Sequence, residues 1–140
     1  GMVIPRFVAQ ALAGAPLTVF GTGAQIRCFC HVQDVVPALV ALVDARDAYG
    51  TAVNVGSTEQ VSIADLALRV LALTGSSSDV VHLTYEQGIG AGYEDLQRRV
   101  PDCTRARKLI DFRPTRTLDD ILRSVIDEQS RPNLVRAAVR

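Results

Sequence analysis

PLTVFGTGAQIRCFCHVQDVV, residues 16–36, changes pattern three times and fixes the fold class. Over Leu17 to Phe20 apolar and polar positions alternate, with Leu17 and Val19 facing one way and Thr18 and Phe20 the other, the period of a half-buried strand. Gly21 and Gly23 mark a turn, and IRCFCHV resumes strand character, with Arg27, Phe29 and His31 on one face and Ile26, Cys28 and Cys30 on the other. Two short runs joined by GTGAQ predict a hairpin. Asp34 then offers an N-cap to the run VVPALVALV, in which Pro37 falls about the third position, where the first turn tolerates it.

Working outward, the N-terminal VIPRFVAQALA places Phe7, Val8, Ala11 and Leu12 on one helical stripe that Gly14 and Pro16 end. The helix after Asp34 is apolar from Val35 to Val43, which predicts burial on most of its sides. TAVNVGS predicts a short strand with Val53 and Val55 on one face. Ser62-Ile63-Ala64-Asp65 is a capping box with Asp in place of Glu, opening a periodic helix that Gly75 stops. A strand from Val80 to Tyr85 follows, then a Gly-rich loop with a charged end, GIGAGYEDLQRRVPD. Thr104 to Ile110 predicts a short helix, and Thr117-Leu118-Asp119-Asp120 repeats the capping box for a helix to about Asp127. Helices and strands are interspersed along the chain, a mixed α/β content.

Composition bounds the function. The chain has 140 residues, 48% hydrophobic and 21% charged, the profile of one globular domain rather than of a disordered, collagen-like or coiled-coil chain. Fifteen basic and fifteen acidic residues cancel, so the charge balance predicts no nucleic-acid or membrane-surface partner and favours a small ligand. No run approaches the roughly 18 to 20 apolar residues of a membrane span, and no signal-peptide pattern opens the sequence, which together predict a cytoplasmic protein. Cys28, Cys30 and Cys103 make an odd count, which fits reduced thiols, and no second Cys/His pair stands at metal-ligand spacing, so no metal is expected.

Residues with chemistry are few. No nucleophile elbow, Walker A, zinc-binding helix motif or dinucleotide glycine fingerprint is present, and His31 and His82 have no evident carboxylate partner. Catalytic residues are therefore not assigned. Arg27 stands out in an apolar strand, where a guanidinium either reaches solvent or meets an anion in fixed geometry. Arg98 and Arg99, taken alone, read as a solvated charge run paired with Glu94 and Asp95 rather than as an anion site. Phe20, at a strand end beside glycines, either stacks on a flat ring or packs in the core.

The order of three blocks narrows these alternatives. GMVIPRFVAQALAGAPLTVFGTGAQIRCFCHVQDVVPAL, AVNVGSTEQVSIADLA and YEDLQRRVPDCTRARKLIDFRPTRTLDDIL together resemble the C-terminal part of an NAD-dependent nucleotide-sugar epimerase/dehydratase, an extended short-chain dehydrogenase/reductase of the UDP-glucose 4-epimerase type. The resemblance covers residues 1–128, leaving a basic tail at 129–140. It implies that Thr18, Val19 and Phe20 flank the nucleobase of a UDP- or dTDP-sugar, with Phe20 stacking. It further implies that Arg27, in the Q-x-R-x-F strand, and Arg99, in R-x-P-D, bind the diphosphate.

The same resemblance implies that residues 34–56 pack on the family's Rossmann domain and complete its sheet and helical layer. NAD in the parent enzyme is bound by that domain and not by these residues, and none of Tyr49, Tyr85 and Tyr93 is followed by Lys four residues on, as the family's catalytic pair requires. Three expectations follow: no turnover by this chain alone, a nucleotide-sugar ligand, and association through the 34–56 surface with the missing domain or with a second copy. A non-catalytic association module that kept the fold is the alternative.

Overall fold

The computed structural model describes residues 2–88 and 95–131. The elements are α1 (Val3–Leu12), β1 (Leu17–Phe20), β2 (Ile26–Cys28), α2 (Val32–Asp44), β3 (Gln60–Ser62), α3 (Ile63–Thr74), β4 (Val80–Leu83), α4 (Tyr85–Gly88), α5 (Thr104–Ile110) and α6 (Leu118–Ser130). The mixed α/β class is as expected. The stripe on α1 buries Ile4, Phe7, Val8 and Ala11 against Leu17 and Val19 of β1, Leu66, Ala67 and Val70 of α3, and Leu118, Ile121 and Leu122 of α6. Several of these side chains are wholly out of water, each contributing about 1.5 to 3 kcal/mol. A smaller cluster joins Ala38 of α2 to Ala106 of α5 and Phe112.

The helix ends follow the local signals. Ser62 accepts from the Asp65 N–H at 3.0 Å, and α3 stops at Gly75 with φ 65°. Thr117 and Asp120 form a complete capping box at α6, which runs to Ser130 and so takes in the first two residues assigned to the basic tail. Residues 132–140 of that tail lie outside the described residues.

Strand pairing departs from expectation. β1 and β2 do not form a hairpin: β1 pairs in parallel with β4, Leu17 opposite Val80, and β2 pairs antiparallel with β3, Arg27 opposite Val61. The reason lies on the second edge of β1, which side chains of α1 close. Gln10 accepts from the Thr18 N–H at 3.2 Å and donates to its hydroxyl at 3.1 Å, and Arg6 donates to the Thr18 carbonyl at 3.1 Å. Between the strands Gly23, at φ 75°, packs on α3, where an added Cβ would lie 2.9 Å from Val19 and 3.0 Å from Ala64.

Three further expectations change. TAVNVGS forms no strand ladder; Val53 and Val55 pack on the small cluster, and the backbone is tied by Arg105 to the Ala52 carbonyl at 2.6 Å and by the Cys103 thiol to that of Gly56 at 3.3 Å. The strand at Val80 ends at Leu83, because Tyr85 opens the short turn α4. His31, not Asp34, caps α2: its Nδ1 accepts from the Gln33 N–H at 3.0 Å, so Pro37 falls inside the helix. Nor is α2 sandwiched. Val32, Val36, Leu39, Val40 and Val43 form one stripe, 50% to 69% exposed. No helix among the described residues is long and apolar enough to cross a membrane.

Candidate functional site

The site is built where β2 gains a second neighbour. On the edge of β2 away from β3, Ile26 forms an isolated parallel bridge with Arg98; its N–H donates to the Gln97 carbonyl at 2.8 Å and its carbonyl accepts from the Arg99 N–H at 3.2 Å. This bridge brings Asp95 and Arg99 beside Arg27. The two adjacent arginines then diverge: Arg98 donates twice to Gln60 Oε1, at 3.0 and 3.2 Å, while Arg99 turns toward Arg27.

Arg27 and Arg99 converge on one oxygen. Arg27 Nη1 donates to the carbonyls of Ile26 and Leu96, both at 2.8 Å, and Nη2 reaches Asp95 Oδ1 at 2.5 Å. Arg99 Nη2 stands 3.7 Å from the same oxygen. The Arg27 and Asp95 side chains are 16% and 11% exposed, that of Arg99 56%. The expectation for Arg27, solvent or an anion, resolves into an internal carboxylate and two backbone carbonyls.

That hollow has a volume of about 660 Å³, within the range of small-molecule sites. Phe20, Arg27 and Arg99 line it, joined by Arg6, Gln25, Tyr85 and Asp95. Thr18 and Val19 do not. The Val19 side chain is wholly in the core, and the Thr18 backbone is engaged by Gln10 and Arg6. Phe20 is half-buried and stands outside the main core cluster. The Arg6 guanidinium carbon lies 4.7 Å from the centre of its ring, Tyr85 is tilted against it with centroids 6.3 Å apart, and Gly88 abuts its edge so closely that a Cβ would overlap it.

A polar chain crosses the floor. Buried Gln25 donates to the Phe20 carbonyl and to the Tyr85 hydroxyl, both at 3.1 Å, and that hydroxyl donates to Asp95 Oδ2 at 3.3 Å. Burial pulls the Arg6 pKa below its usual value, and its Nε is buried without a hydrogen-bond partner. Three guanidinium groups against one carboxylate leave the lining positive, suited to an anion beside an aromatic face.

Arg6, Gln25, Tyr85, Gly88 and Asp95 escaped the sequence reading as site residues. Gln25 has a signal in the Q-x-R-x-F run, whereas Asp95 reads in sequence as one member of a solvated charge run. His31 and His82 are spent structurally, as helix cap and as a partner of the Gly21 carbonyl at 2.9 Å. Among the described residues no cluster of metal-ligating side chains occurs, and burial raises the Cys28 and Cys30 thiol pKa values.

A small mixed α/β fold here carries a positive, aromatic-walled hollow. Residues 1–56 match the NAD dependent epimerase/dehydratase family, and the chain is related to that family of extended short-chain dehydrogenases/reductases. It is 38% identical over 124 residues to UDP-N-acetyl-alpha-D-glucosaminuronate decarboxylase of Bacillus cytotoxicus, covering 89% of this chain and 38% of the relative. It is 36% identical over 126 residues to UDP-glucuronic acid decarboxylase 1 of Xenopus tropicalis, covering 90% of this chain and 28% of that protein. The fold matches UDP-glucuronic acid 4-epimerase of Bacillus cereus in complex with UDP-glucuronic acid and NAD, with a TM-score of 0.80 and 28% identity, covering 90% of this chain and 38% of that one. The chain thus spans well under half the length of these relatives.

Proposed function

We propose that this chain is the nucleotide-sugar-binding portion of an NAD-dependent UDP- or dTDP-sugar epimerase, dehydratase or decarboxylase. The convergence of Arg27 and Arg99, distant in sequence, on one oxygen beside Phe20 carries the reading. Two forks on adjacent phosphates give orientation as well as affinity, and the aromatic wall gives a flat ring a face to meet. In this reading Phe20 contacts the base, and Thr18 and Val19 act by fixing Phe20 rather than by touching the ligand.

The hydride chemistry belongs to NAD, and the residues that hold NAD and supply an acid/base lie outside this chain; the chain alone does not turn over. The part of the relatives beyond the matched region is the partner that covers the exposed stripe of α2. Three free thiols support a reducing, cytoplasmic setting.

Calorimetric titration with UDP tests the proposal. Arg99→Ala is the cleaner variant, because Arg27 also anchors the Leu96 carbonyl whereas Arg99 is more than half exposed. Loss of one charge-assisted contact weakens UDP by about five- to twentyfold. Equal binding by both proteins removes the arginine assignment. The association-module alternative draws on the exposed α2 stripe, and absence of UDP binding together with firm self-association is its signature.

A further inference from the structure

We infer that Asp95 is a built-in competitor for the anion site: its carboxylate holds the guanidinium edges a diphosphate would take, and so decides which anions displace it. The inference rests on the nucleotide-sugar reading of the hollow. Arg27 is oriented without Asp95, because its Nη1 is fixed by two carbonyls at 2.8 Å; what Asp95 takes is the remaining Nη2 edge, at 2.5 Å. The same Oδ1 faces Arg99 Nη2 at 3.7 Å, and Oδ2 accepts from the Tyr85 hydroxyl at 3.3 Å. With 11% exposure this carboxylate is poorly screened. An entering phosphate oxygen must therefore move it aside or sit beside a like charge.

Displacement favours ligands with two anionic groups. A diphosphate meets both arginines in exchange for one carboxylate, whereas a monophosphate gains little more than Asp95 already supplies. Asp95 then acts as a selectivity residue for diphosphates, through competition rather than contact.

The test titrates the 140-residue chain and its variants with UDP and with UMP. Asp95→Asn and Asp95→Ser are expected to tighten both ligands, UMP by about three- to tenfold and UDP by less, narrowing the preference for the diphosphate. Asp95→Glu, which keeps the charge, is expected to bind as the wild type does. Binding by both neutral variants that equals or falls below wild type overturns the inference, since Asp95 would then hold the arginines for the ligand. If Arg99→Ala loses UDP affinity while the Asp95 variants gain none, the competitor role falls and the binding site stands. If neither wild type nor the Asp95 variants bind UDP, both fall together.

Discussion

Asp34 lies in the first turn of α2, but its carboxylate serves a distant segment. Oδ1 accepts from the Thr115 hydroxyl at 2.8 Å and N–H at 3.2 Å, and Oδ2 from the Arg116 N–H at 3.1 Å. Burial alone would raise its pKa, but the Arg116 and Thr115 hydrogen bonds outweigh burial and hold it below the usual carboxylate value. A depressed folded pKa stabilises the fold above the unfolded carboxylate value, about 3.9, and that contribution is lost as pH falls through the lower folded value. Asp34→Ala is expected to cost about 1 kcal/mol at neutral pH, at the low end for charged hydrogen bonds because the group is partly open to water. Urea denaturation from pH 7 to pH 2 checks this. A cost that persists undiminished at the acid end excludes the carboxylate as its source.

The edge of β1 carries the corresponding argument for an element. Gln10 satisfies the Thr18 N–H and engages its hydroxyl, so α1 takes the place a hairpin strand would have occupied. Gln10→Ala leaves that N–H without its partner on a half-buried edge and is expected to cost about 1 to 2 kcal/mol, measured by thermal or urea melts. A change below about 0.3 kcal/mol would show that water replaces the glutamine.

Helix boundaries with a side-chain signal of their own, such as Ser62 with Asp65, Thr117 with Asp120, and Gly75, are readable in the sequence because cap and helix lie within four residues. Strand partners are not. LTVF tells which side chains turn inward, and its pairing with Val80–Leu83 depends on an edge closed by a helix elsewhere. The site divides in the same way. Arg27 is conspicuous in its strand and Arg99 through the three ordered blocks, but Asp95 looks like any loop carboxylate until the Ile26 bridge places it against Arg27.

For the whole molecule, the α2 stripe sets the conditions under which the chain is stable in solution. Five Val and Leu side chains at least half exposed forgo about 1 kcal/mol each relative to full burial, of order 5 kcal/mol together, against a typical net domain stability of about 5 to 15 kcal/mol. Bringing two separate copies together costs about 4 to 15 kcal/mol in lost freedom, so self-association through this stripe is weak and depends on concentration. On the reading proposed above, a cover carried on the same polypeptide avoids most of that cost. Light scattering on the isolated chain is expected to show mass rising with concentration. Val36→Asp with Val40→Lys abolishes the rise while changing the melt by no more than about 0.5 kcal/mol, because both side chains already face water. A constant monomer mass for the wild type at high concentration would show that the stripe drives no self-association, and association unaffected by the double variant would place the contact on another surface.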